Sequence, residues 1–278
     1  MTSSTLMIHL TPGTSNEKLL RLAVDLAGRL KAGRAIGIAG CQPLQFYGDG
    51  AFYLSGDIVD LDRAQIDKDL KEVETAFRAA FSGRPIQAEW RQTVDYKLIA
   101  DFIAREMRAA DLLMTMPEQA GSVLDTSRRV LVADMVMRAG RPVMVVNPEA
   151  DRLDLENVVI GWKESREARR AVQDALPLLR VAGRVTVLEV AAEADIPQAR
   201  QRVGDVVSWL MNHDVAASGR ATVSRGDDAG EIAALVGELG AGLVVGGAYG
   251  HNRLRELVLG GVTRDLLLKP THCSLVSH

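Results

Sequence analysis

Leu243-Val244-Val245-Gly246-Gly247-Ala248-Tyr249-Gly250 carries an apolar strand into a glycine turn, and Gly260-Gly261-Val262-Thr263 follows nine residues later. Bare backbone can therefore close around something at two points. Backbone N–H groups in such a setting favour an anion, most often phosphate. With a strand before the turn and a helical run, Arg253 to Leu268, after it, the stretch is one step of an alternating α/β chain.

Working outward, the same alternation fills the second half. Strands are expected over Asn157–Gly161, Arg184–Val190, Ala216–Ser224, Leu243–Gly247 and Ser274–Ser277, with helices over Glu164–Leu179, Pro197–Asn212, Ala229–Leu239 and Arg253–Leu268 between them. The first half repeats the plan. Its strands are Thr5–Leu10, Ala35–Ala39, Ile86–Gln92, Ala110–Met114 and Pro142–Val146. Ser15 or Asn16 caps a first helix whose Leu19, Leu20, Ala23, Leu26, Ala27 and Leu30 share one face. Further helices follow over Asp62–Phe81, Asp95–Arg108 (with Leu98, Ile99, Phe102 and Ile103 apolar) and Asp125–Ala139. Two copies of one α/β unit, each a parallel sheet with helices on both faces, are the simplest account. The polar run from Asn147 to Arg152 joins them.

The copies differ in two places. Gln42 to Asp62 reads as a loop with Gly48, Gly50 and Gly56 among Phe46, Tyr47, Phe52 and Tyr53, long for a strand-to-helix connection and suited to a lid or a contact surface. After Met114 the first half has no Gly-x-x-Gly, and Pro117 removes an N–H where donors would be wanted.

At these residues the sequence resembles a tandem universal stress protein. The resemblance covers essentially the whole chain and is most specific in the second half. The family's nucleotide-binding pattern is Gly, two residues, Gly, nine residues, Gly, then Ser or Thr. Here Gly247, Gly250 and Gly260 match, while Gly261 stands where binding members carry a hydroxyl and Thr263 is the nearest substitute. Lys163 stands where nucleotide-binding relatives commonly place an acid.

The resemblance implies two tandem doubly wound parallel five-stranded sheets of the adenine nucleotide alpha hydrolase-like kind. It implies a degenerate, non-binding domain over residues 1–148, a linker over 149–156 and a nucleotide-binding domain over 157–278. It further implies ATP or a related adenine nucleotide, with magnesium as counter-ion, on Gly247, Gly250, Gly260, Gly261, Val262 and Thr263. By the resemblance Val190 would sit at the adenine end; by their own chemistry His251, Asn252 and Arg253 would add phosphate donors and Trp162 would stack on a base, while Lys163, a departure from the family, would meet a phosphate or its loop would hold a different ligand. The last strands of the two halves would pair within one polypeptide. A homodimer of the whole chain and a protein partner in a stress or signalling response complete the expectation.

Each of these residues has a plainer reading. Gly247 and Gly250 can simply build a tight strand-to-helix turn; His251, Asn252 and Arg253 a solvated helix start; Thr263 an ordinary helical threonine. Trp162 can pack against a neighbouring helix, and Val190 can be core. Gly226-Asp227 can touch a ribose or be a turn with Asp227 or Asp228 as helix cap.

The bulk numbers set the boundaries. At 278 residues the chain suits two domains, and 47% hydrophobic with 25% charged residues is ordinary for a soluble globular protein. A net charge of −3 gives no electrostatic case for nucleic acid or an anionic membrane. Cys41 and Cys273 match neither a disulfide framework nor a metal spacing, so a reduced, cytoplasmic setting is expected. The N-terminus lacks a basic n-region, and no run of 18 apolar residues occurs. No nucleophile elbow, Walker loop or pyrophosphatase loop is present, which favours binding over rapid turnover. The alternatives are an interaction protein that binds no nucleotide and a slow ATP hydrolase, for which His251 is the only local candidate.

Overall fold

The computed structural model describes residues 4–44, 56–117, 130–248 and 272–278. Among them are the strands β1 (Thr5–His9), β2 (Arg34–Cys41), β3 (Gln87–Val94), β4 (Leu112–Thr115), β5 (Val143–Val145), β6 (Asn157–Gly161), β7 (Arg184–Ala191), β8 (Ala217–Val223), β9 (Leu243–Gly247) and β10 (Cys273–Ser277). The helices are α1 (Glu17–Arg29), α2 (Gly56–Phe81), α3 (Ile99–Glu106), α4 (Val132–Ala139), α5 (Arg166–Leu179), α6 (Ile196–Met211) and α7 (Asp228–Glu238).

The strands form one sheet in the order β3-β2-β1-β4-β5-β10-β9-β6-β7-β8. Counted within itself, each half runs 3-2-1-4-5, so the order repeats about the middle. Every neighbouring pair is parallel except β5 and β10, which are antiparallel with Leu275 opposite Met144. The two expected five-stranded sheets are therefore fused into one, and the last strands pair within the chain as anticipated.

Strand pleating sends alternate residues to opposite faces. Leu6 and Ile8 join a core with Leu26 of α1 and Phe77 of α2, while Met7 joins a second with Ile103 of α3 and Met135 of α4. Both cores continue across the β5–β10 seam, the first through Met144 and Leu275 and the second through Val145 and Val276. The segment expected as a linker is docked. Leu153 and Leu155 are buried, Lys18 donates to Pro148 O at 2.7 Å, and Arg21 faces Asp151 at 3.7 Å.

Several boundaries differ from the sequence reading. α2 begins at Gly56, so residues 56–62 are helical rather than loop, with Asp57 suiting the helix dipole in the first turn. α3 begins four residues late because Asp95 Oδ1 accepts from Lys97 N at 3.3 Å and holds a turn; Leu98 ends outside the core, 51% exposed. α4 is preceded by extended Leu131. Asn16 occupies the cap position of α1 but does not cap it: its amide instead accepts from Thr11 N and donates to Thr11 O and Thr14 O, each at 3.0 Å. Residues 45–55 of the long connection and the expected helix Arg253–Leu268 lie outside the described residues.

Candidate functional site

In a doubly wound sheet, ligands bind beyond the carboxyl ends of the strands, where the strand order reverses. This chain has two such switch points, between β1 and β4 and between β6 and β9. Pairing registers superimpose them. Leu6 faces Leu112 as Val158 faces Leu243, which makes His9 the counterpart of Gly161 and Thr115 the counterpart of Gly246.

The first switch point is filled. His9 is 4% exposed, and its Nδ1 lies 3.0 Å from Thr115 Oγ1. The Thr115 hydroxyl donates to Met116 O at 3.2 Å, which leaves its oxygen to accept from His9 Nδ1–H. Burial disfavours the imidazolium and lowers the His9 pKa to about 4.

At the second switch point the same two positions are glycines. Gly161 and Gly246 pair directly, and a Cβ on Gly161 would meet only Val245 O, at 3.8 Å. Neither strand end therefore projects a side chain at this pair of positions. Only Trp162 to Ser165 separate β6 from α5, against Leu10 to Asn16 between β1 and α1. This short turn draws the first turn of α5 onto the end of β9. A Cβ on Gly247 would lie 2.5 Å from Ala168 N and 2.6 Å from Glu167 C, so Gly247 is glycine because the helix backbone occupies its side-chain space. Ser165 caps α5, its Oγ accepting from Ala168 N at 3.2 Å.

Glu167 in that first turn is nearly buried. Burial alone would raise its pKa, but its own backbone N–H, the Arg166 guanidinium and the Ser165 hydroxyl outweigh this and hold it below the usual carboxylate range.

The other anticipated residues separate. Trp162 is 8% exposed and packed in the core, and among the described residues its Nε1 has no hydrogen-bond partner. Lys163 is exposed at the β6–α5 turn. Val190 is half-buried on β7, opposite Thr222, and follows Glu189, which is 5% exposed and takes bonds of 3.0 and 3.2 Å from Arg202 Nε. Gly226 adopts φ +101°, and Asp227 caps α7 through a 3.0 Å bond from Gly230 N. Gly250, His251, Asn252, Arg253, Gly260, Gly261, Val262 and Thr263 lie outside the described residues.

Sequence reasoning passed over His9, Thr115, Gly161 and Gly246. Aligning β1 with β6 and β4 with β9 by their place in the repeat would have shown a histidine and a threonine facing two glycines. Among the described residues, no cluster of His, Cys, Asp or Glu suits a metal ion, and no helix is long and apolar enough to cross a membrane. Cys41 and Cys273 are buried and form no disulfide among the described residues.

No protein-family model matches the sequence, and no curated protein matches it either. Solved structures do. A universal stress protein from Archaeoglobus fulgidus DSM 4304 aligns at TM-score 0.74 and 14% identity, covering 99% of this chain and 96% of that one. A functionally unknown protein from Pseudomonas aeruginosa PAO1 aligns at TM-score 0.60 and 13% identity, covering 99% of this chain and 92% of that one. At such identities the likeness speaks for architecture, and over 99% of its length the chain has the fold of a universal stress protein structure.

Proposed function

We propose that this protein binds ATP or a related adenine nucleotide in its second half and acts as a stress-response or signalling module without efficient catalysis. The observation that supports this most directly is the contrast between the two switch points. His9 and Thr115 fill one, while Gly161 and Gly246 leave backbone bare at the other. Close approach of a ligand to main chain needs such positions. The first turn of α5 lies beside that crevice and adds the positive end of a helix dipole. The glycine pattern from Gly247 through Gly250 to Gly260 follows directly on β9, with Gly261, Val262 and Thr263 as further phosphate contacts and magnesium as counter-ion. One nucleotide per chain is the stoichiometry of this reading.

A second reading, an interaction protein that binds no nucleotide, draws on Gly247, whose lack of a side chain is already explained by the backbone of α5.

Titration of the purified chain with ATP and magnesium, followed by thermal melting, separates the two. Saturation at a hundred times the dissociation constant adds about 2.7 kcal/mol to stability. Gly161→His rebuilds the first-half plug at a position with room for a Cβ, so this variant is to melt like the wild type alone and lose the ATP shift. No shift in the wild type at millimolar ATP and magnesium would exclude nucleotide binding, and an undiminished shift in Gly161→His would place the site elsewhere.

A further inference from the structure

The sheet ends in two edge strands, and they are not alike. Among the described residues β3 and β8 each pair on one side only. Natural edges are commonly blunted by lysines, a proline or a bulge. β3 carries none of these: Gln87 to Val94 pair with β2 in unbroken register, and the two charges of the strand, Glu89 and Arg91, are of opposite sign.

The ends of that ladder fix the direction of the open backbone. Gln87 N donates to Gly33 O at 2.9 Å and Asp95 N to Cys41 O at 3.2 Å, so odd-numbered residues aim their N–H and C=O groups at β2. Ala88, Trp90, Gln92 and Val94 aim theirs away from the sheet. A second β3 running antiparallel can exchange bonds only with these even positions, and charge selects among the registers that remain. With Trp90 opposite Trp90, Glu89 stands opposite Arg91 of the partner subunit on both sides of the axis, in the closer non-hydrogen-bonded sites. Sliding one copy by two residues in either direction sets Glu89 against Glu89 or Arg91 against Arg91.

The side chains suit the first register. Glu89 accepts from Arg34 and, at 2.7 Å, from Arg91 Nε, while Glu106 takes Arg91 Nη1 at 2.5 Å and Arg108 Nη1 at 3.0 Å. Three cations against two acids is close to balance, and Arg91 Nη2 makes no bond among the described residues. Beyond the strand, Asp95 and Lys97 offset each other at 4.0 Å, Arg138 is held by Asp101 at 2.6 Å, and Arg84 and Arg105 are exposed. On the opposite face Trp90, 5.8 Å from Phe77, comes to the axis. β8 offers less. Ser224 N donates to Ala191 O at 2.8 Å, so its outward positions are Ala217, Gly219, Ala221 and Val223, and centred self-pairing sets Arg220 against Arg220.

We propose that two copies of this chain dimerise by antiparallel pairing of β3 with β3, Trp90 on the two-fold axis and Glu89 opposite Arg91 of the partner subunit, which joins two ten-stranded sheets edge to edge. Five strands lie between β3 and β9, so the association does not depend on nucleotide.

Sedimentation of the full chain over about 1–100 µM is to show a mass rising from 30.1 kDa to twice that value. Gln92 is exposed and its N–H points outward, so Gln92→Pro removes a donor between copies without touching the β2 ladder. It is to weaken the dimer at least tenfold with unchanged circular dichroism. Gln87→Cys with Thr93→Cys reads the register. Within one chain these positions are about 20 Å apart, and only the proposed register sets them opposite each other, so oxidation is to cross-link the dimer through them. A mass of 30.1 kDa at every concentration, a dimer that a normally folded Gln92→Pro leaves intact, or a dimer without the cross-link overturns the proposal. If Gln92→Pro alters the circular dichroism, the cross-link decides.

Discussion

His9 Nδ1 meets Thr115 Oγ1 at 3.0 Å across the carboxyl ends of β1 and β4, at the point where the other half pairs Gly161 with Gly246. One fold thus carries a side-chain pair at one switch point and two glycines at the equivalent positions of the other. The pair depends on a neutral imidazole, which makes it sensitive to acid.

The folded pKa of His9, about 4, lies below the 6.5 of an exposed histidine. Between these values the unfolded chain binds a proton that the folded chain refuses, so stability rises with pH across this window. The His9 contribution is complete above pH 6.5 and is lost as pH falls toward 4. Its size is about 3 kcal/mol at 1.36 kcal/mol per pKa unit. Urea denaturation at pH 7 and pH 4.5 is to show this loss in the wild type and a flatter profile in His9→Gln. Equal slopes in both proteins would remove His9 from the account of acid sensitivity.

Gly247→Ala places a Cβ 2.5 Å from Ala168 N, a backbone atom in a capped helix turn that has little freedom to move. A destabilisation of about 1–3 kcal/mol follows from overpacking. Gly28→Ala in α1 is the control. Nothing lies within 4 Å of its added Cβ, so it is to stabilise by about 0.5–1 kcal/mol. Denaturant midpoints that moved the same way for both would contradict the packing of α5 against β9.

The alternation of apolar strand and amphipathic helix made the element order legible, because periods of 2 and 3.6 are imprinted on buried faces. The β6 and β9 strands were read to the residue, being apolar runs closed by glycine. Helix starts were harder. Gly56 to Leu61 looked like loop because its apolar residues face solvent, and the core period begins only at Ile66. Of the candidate glycines, Gly247 was legible as the end of β9, while Gly250, Gly260 and Gly261 lie outside the described residues. The contrast between the two switch points was hidden because it depends on register, since His9 and Thr115 are 106 residues apart and meet only through the pairing of β1 with β4. Trp162 was ambiguous for a different reason: a strand-end tryptophan suits both a ligand and the core, and only the fold shows it 8% exposed.

Leu275 is fully buried on β10, opposite Met144 across the antiparallel seam, in a core shared by both halves. Leu275→Ala is to cost about 2–5 kcal/mol. Because the core is continuous across the seam, the loss is to appear as one transition moved to lower temperature, with calorimetric and van't Hoff enthalpies still equal. A split into two transitions would show that the halves unfold independently.

Glu189 on β7 and Arg202 on α6 form an ion pair of unequal burial, their side chains 7% and 30% exposed. Hydrogen bonding to Glu189 raises the Arg202 pKa above its ordinary value against the opposing effect of desolvation. Removing the guanidinium leaves a buried carboxylate without its donor, which in a fully buried pair costs about 3–5 kcal/mol. Solvent at Arg202 screens part of this, so Arg202→Ala is to cost about 2 kcal/mol. Removing both charges with Arg202→Met and Glu189→Leu also removes the desolvation penalty, and the double variant is to be at least as stable as Arg202→Ala alone. Strictly additive losses in the cycle of Arg202→Met, Glu189→Leu and the two combined would mean that the two groups do not interact, and that β7 and α6 are held together by their apolar contacts alone.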